Sequence, residues 1–124
     1  MKICVTSKGR TLDSQVDPRF GRCDFFIVLD PESLEFEAIE NAQVEAAGGA
    51  GIQSGQLMSE KQVQAVLTGN MGPNAYQTLQ AADIEVITGV SGTVQEAVDG
   101  YKAGRFSSAK GPTVKSHSGM KGGN

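Results

Sequence analysis

The chain has 124 residues, 39% hydrophobic and 20% charged, with a formal net charge of −3. That length supports one domain with a single sheet covered by helices, and that composition excludes a disordered chain. Residues 1–104 hold 7 basic and all 14 acidic side chains, while 105–124 carry Arg105, Lys110, Lys115 and Lys121 with no acid. An acidic body excludes sequence-independent nucleic-acid binding, which depends on neutralising phosphates, and the four tail cations read as solubilising.

The opening Met1-Lys2-Ile3-Cys4-Val5-Thr6 turns polar after five residues. It lacks the apolar core of a signal peptide or membrane span, so a cytoplasmic protein with no membrane partner is expected. Cys4 and Cys23 are the only cysteines and do not form a C-x-x-C pair. In a reducing compartment they remain thiols.

Residues 2–7 read as a first strand, with Ile3 and Val5 on one face and Cys4 on the other. A long polar connection over 8–22 leads to the apolar run Phe25-Phe26-Ile27-Val28-Leu29, a buried strand closed by Asp30-Pro31. Residues 34–39 nearly alternate, as an edge strand with one wet face does, and their closeness to the preceding run predicts a hairpin. Its acidic side chains, from Asp30 to Glu45, read as solvated surface.

After a loop over 41–51, a helix is expected over 52–61 with Leu57 and Met58 inward, then a short buried strand over 63–67. Pro73 suits the first position of a second helix, where its missing N–H costs nothing. That helix carries Ala75, Tyr76, Leu79 and Ala82 on one face. Residues 84–87 form the last strand. Thr93 caps a third helix whose Val94, Ala97, Val98 and Tyr101 follow the i, i+3, i+4, i+7 pattern, and Gly104 ends it. Residues 107–124 are rich in Gly, Ser and Lys, so a domain over 1–106 with a disordered tail is expected. The order β-β-β-α-β-α-β-α predicts an α/β fold: a mixed five-stranded sheet with a parallel half and three helices.

Three glycine loops carry the first functional signal. Gly48-Gly49-Ala50-Gly51-Ile52 opens a helix and can aim successive N–H groups at one point, where the helix dipole adds partial positive charge. No Gly-Lys-Ser/Thr follows, which excludes a P-loop. A plain loop with a tight entry turn fits this motif alone equally well. Asn70-Met71-Gly72-Pro73-Asn74 and Gly89-Val90-Ser91-Gly92-Thr93 follow later strands in the same manner. Loops past the carboxyl ends of parallel strands line the ligand crevice of an open α/β sheet, and three together favour an anion site.

The fourth piece is Asp17-Pro18-Arg19-Phe20-Gly21-Arg22-Cys23. Two guanidinium groups in one loop of an acidic domain suit an anionic ligand, and a thiolate at Cys23 suits a soft metal. The structural alternative is that the arginines pair with Asp13, Asp17 or Asp24 and that Cys23 is a small core residue. Cys4 reads as structural and Met71 as loop packing with a possible thioether contact. The only histidine, His117, lies in the tail beside Met120, so Ser/His/Asp or Cys/His catalysis has no support and no enzyme is expected.

Together, the opening strand, Phe20-Gly21-Arg22, Gly48-Gly49-Ala50-Gly51-Ile52 and Gly72-Pro73-Asn74-Ala75 resemble the dinitrogenase iron-molybdenum cofactor biosynthesis (NifX-like) family over about residues 1–104. The resemblance implies a ribonuclease H-like three-layer fold. It also implies binding, storage or delivery of a molybdenum-containing metal–sulfur cluster, with donor or acceptor proteins as partners. Its orange-protein branch, from sulfate reducers, implies a molybdenum–copper sulfide cluster held without covalent attachment. Many relatives have a histidine just before the Phe-Gly-Arg block, where this chain has Arg19. That departure favours electrostatic capture of the cluster over histidine ligation. The competing readings are a two-metal nuclease, for which the first strand lacks carboxylates, and a regulatory or scaffold module binding a phosphorylated metabolite or partner protein in the same crevice.

Overall fold

The computed structural model describes residues 1–42 and 50–113. Its elements are β1 (Ile3–Ser7), β2 (Phe25–Leu29), β3 (Phe36–Glu40), α1 (Ala50–Glu60), β4 (Ala65–Leu67), α2 (Pro73–Ala81), β5 (Glu85–Ile87) and α3 (Val94–Lys102). The sheet order is β3-β2-β1-β4-β5. β1 and β2 pair antiparallel with Ile3 opposite Leu29, and β2 and β3 form the expected hairpin with Phe25 opposite Glu40. β4 and β5 add in parallel, Ile3 opposite Ala65 and Ala65 opposite Glu85. The mixed five-stranded sheet with three helices is therefore the fold of the chain.

Alternation along β1 divides the core into two layers. Cys4 joins Phe26, Val28 and Val66 beneath Met58 of α1 and Ala75 and Leu79 of α2. Ile3 and Val5 join Ile27, Leu29 and Leu67 beneath Val94, Ala97 and Val98 of α3. Two helices thus cover one face and one helix the other.

The observed elements differ from the expected ones at their ends, for a shared reason. Each helix closes in a Schellman arrangement: Val63 N–H donates to Met58 O at 3.0 Å, Ile84 to Leu79 O at 2.9 Å and Arg105 to Gly100 O at 3.0 Å. The left-handed residue is Gly104 (φ 71°) after α3, but Gln62 (φ 61°) after α1 and Asp83 (φ 63°) after α2. Val63 and Ile84 are spent on these closures, so β4 and β5 begin later than residues 63 and 84. Leu34 (φ 64°) likewise turns the hairpin and delays β3 to Phe36. Residues 107–113, expected as the start of the tail, lie against α2 and β5: Ala109 N–H donates to Val86 O at 2.7 Å and the Tyr76 hydroxyl to Ala109 O at 3.3 Å. Residues 114–124 lie outside the described residues.

Candidate functional site

β1, β3, β4 and β5 point the same way, so their carboxyl ends share one edge of the sheet. The helices that follow β3, β4 and β5 begin from that edge. The β1–β2 connection is stitched along it. Asp17 N–H donates to Thr6 O at 2.9 Å, and Val16 N–H reaches Gly92 O at 2.8 Å in the β5–α3 loop. Arg19 forms a parallel bridge with Asn70: Asn70 N–H donates to Pro18 O at 2.6 Å and Phe20 N–H to Asn70 O at 3.3 Å. Gly69 permits this approach, because a Cβ there would sit 2.7 Å from the Cα of Pro18. Gly89 N–H donates to Gly69 O at 2.9 Å and Val90 N–H to Thr68 O at 3.1 Å. Three of the four expected loops are therefore bonded to one another.

Beneath them lies a small polar support. The buried Thr6 hydroxyl donates to Asp17 O at 2.6 Å and lies 2.8 Å from the Thr68 hydroxyl. The Asp17 carboxylate is fully buried, yet it accepts Arg19 N–H at 3.0 Å, Nε at 3.1 Å and Nη2 at 3.2 Å. This two-pronged pairing, the structural alternative raised for the arginines, fixes the plane of a guanidinium whose side chain is 57% exposed. Hydrogen bonding to Asp17, and then its charge, raises the Arg19 pKa, so the cation is permanent. Asn41 is buried, and its side-chain amide donates to Gly21 O at 3.0 Å and Cys23 O at 2.8 Å, holding the turn that presents exposed Arg22.

Cys23 is wholly buried in the layer under α1 and α2, as is Cys4. Burial first, and the nearby Asp17 charge second, push the Cys23 thiol well above its usual range; burial and Cys23 do the same to Cys4. A protonated interior thiol is neither nucleophile nor metal ligand. Met71 is also interior.

The amino ends of the helices differ. α3 is closed by its own capping box: the Thr93 hydroxyl accepts Glu96 N–H at 3.1 Å and the Glu96 carboxylate accepts Thr93 N–H at 2.8 Å. α2 starts at Gly72 with no side-chain cap, Pro73 at its first turn and no acid there. Its first helical bond comes from Tyr76 N–H to Gly72 O at 3.0 Å, so the Asn74 and Ala75 amides precede the ladder. α1 also has no acid in its first turn, and a Cβ on Gly51 would lie 3.0 Å from the Ala75 Cβ. The two acid-free amino ends therefore sit side by side, next to the loop holding Arg19. Gly48 and Gly49 lie outside the described residues; Ala50 and Gly51 open α1. Gly89 (φ 78°) and Ser91 are exposed on the neighbouring loop.

Sequence reasoning missed Thr6 and Asn41, whose side chains touch loop backbone from below, and Thr68, whose hydroxyl lies against that of Thr6. For Thr6 and Thr68 the one signal is polarity at the end of an otherwise apolar strand. A groove of 670 Å³ lies at the opposite sheet edge against Met1, Lys2, Asp30, Glu35, Phe36 and Glu37. It offers three carboxylates and one lysine and is ill suited to an anion. No group of three His, Cys, Asp or Glu placed to hold a metal ion occurs among the described residues, and none of their helices is long and apolar enough to cross a membrane.

The chain is 39% identical to the orange protein from Desulfovibrio gigas, solved in its apo form, with a TM-score of 0.88 over 90% of this chain and 95% of that one. It is 37% identical to a candidate NifB protein from Thermotoga, TM-score 0.76, over 86% of this chain and 91% of that one. An uncharacterised protein of Methanocaldococcus jannaschii is 28% identical over 97 residues, 76% of this chain and 82% of the relative. The model of the family described as dinitrogenase iron-molybdenum cofactor matches residues 1–104, and the chain belongs to that family.

Proposed function

We propose that the chain binds an anionic, molybdenum-containing metal–sulfur cluster at the carboxyl edge of its sheet, for storage or delivery to another protein, without catalysing a reaction. The cluster is cargo, of a molybdenum–copper or iron–molybdenum sulfide type, in keeping with the family and with the likeness to the orange protein. The observation that carries the reading is the pairing of two acid-free helix amino ends beside the Arg19 loop. Thiometallates are large soft anions with charge spread over several sulfurs. Amides at α1 and α2, the exposed face of Arg19, Arg22 and the loop of Gly89 and Ser91 oppose that charge without a covalent anchor. The interior position of Cys23 favours capture by charge and amide over thiolate ligation.

Anaerobic equilibrium dialysis against tetrathiomolybdate, with and without Cu(I), tests the reading. The apo-chain is expected to retain molybdenum, to show visible charge-transfer absorption, and to bind more weakly at high salt, where exposed charges are screened over about 3 Å at 1 M. A chain that retains no molybdenum and instead retains a phosphorylated metabolite would establish the alternative, a regulatory module using the same amides.

A further inference from the structure

Residues 106–113 cross the open edge of β5 and end on the β4–α2 loop. The Phe106 ring packs on α3 where Gly100 leaves room, since a Cβ on Gly100 would lie 2.8 Å from ring carbons. Phe106 packs against the layer under α3, whereas Ala109 packs against the layer under α1 and α2, so the segment wraps the sheet from one face to the other. On the way the Ser108 hydroxyl donates to the Glu85 carboxylate, and Ala109 N–H donates to Val86 O at 2.7 Å. At its end Thr113 and Met71 exchange bonds. Thr113 N–H donates to Met71 O at 2.9 Å, and Met71 N–H donates to Thr113 Oγ1 at 2.8 Å.

Met71 immediately precedes Gly72, the residue that opens α2. Its buried side chain grips the loop from inside the core, and Thr113 grips its backbone from outside. We infer that this strap is a positioning element of the anion site, with Thr113 setting the β4–α2 loop so that the α2 amides face the ligand. By linkage, a ligand that prefers the set loop tightens the strap in return. The inference rests on the cluster-binding reading above.

Amide hydrogen exchange and tetrathiomolybdate titration of the full-length chain test it. Thr113→Val keeps the shape of the side chain and removes the hydroxyl that Met71 N–H reaches. The variant should exchange the Met71 amide at least about fivefold faster without ligand and bind tetrathiomolybdate about fivefold more weakly, the effect of one hydrogen bond. Thr113→Ser should restore both. In the parent chain, saturating tetrathiomolybdate should slow exchange at the Ala109 and Thr113 amides, which a merely structural strap would not show. Parent binding with unchanged strap amides, or a valine variant that binds like the parent, overturns the inference alone. A parent that binds no tetrathiomolybdate overturns the cluster reading and the inference with it.

Discussion

At the scale of single residues, the two cysteines discriminate between ways of holding a cluster. Both thiols are interior and raised above their ordinary pKa by burial. Cys23→Ser should therefore retain tetrathiomolybdate at both low and high protein concentration, while losing about 1–3 kcal/mol of stability because a hydroxyl replaces a buried thiol. Loss of molybdenum from a folded serine variant would show that the thiol ligates. The same burial predicts a dependence on pH. An unfolded thiol ionises near pH 8.5, whereas these two keep their protons in the fold, so the unfolded state binds fewer protons above that pH. Their contribution is fully present below about pH 8.5 and falls as pH rises toward the folded values, by up to about 1.4 kcal/mol per pH unit for each thiol. Urea midpoints measured from pH 7 to 10 should fall, and Cys23→Ser should flatten the fall; identical slopes would contradict the assignment.

At the scale of elements, stability and binding are expected to pull in opposite directions at α2. Gly72 has ordinary extended geometry (φ −78°, ψ 172°), and a Cβ there would meet nothing within 4 Å. Gly72→Asp should supply the missing cap and an acid at the helix amino end, raising stability by about 0.3–1 kcal/mol. The added carboxylate should repel a cluster anion and weaken its binding by about tenfold. A variant with higher Tm and unaltered affinity would remove α2 from the site. Element types were legible because their signals are local: alternation in β1, Pro73 at the start of α2, and the Thr93 cap with i, i+3, i+4, i+7 spacing in α3. The ends of α1 and α2 were not, because Gln62 and Asp83 take left-handed positions that a reader assigns to glycine. At the candidate site, the sequence offered the glycine loops and arginines only as residue types. The Thr6, Thr68 and Asn41 bonds were not legible, since these side chains reach groups distant in sequence.

At the scale of the whole molecule, the same limit explains the strap over β5. Beyond Phe106 its docking uses hydrogen bonds at Ser108, Ala109 and Thr113, which leave no apolar pattern to read, and the residues after 106 therefore look like tail. It also covers one sheet edge, while the other, β3, carries Glu37 and Glu40 with Glu35 just before it. Charge and cover are two ways to prevent edge-to-edge pairing. With both edges managed, the amino ends of α1 and α2 gather on the sheet's carboxyl side. The central claim is that this edge, and no other surface, receives a metal–sulfur anion. It is tested most directly by following backbone amide resonances of the chain during anaerobic titration with diamagnetic tetrathiomolybdate. The account predicts saturable shifts at residues 19–22, 50–52, 70–75 (Pro73 lacks an amide) and 89–91. Shifts centred on Lys2, Phe36 and Gln64 at the opposite edge, or no shifts at saturating ligand, would contradict it.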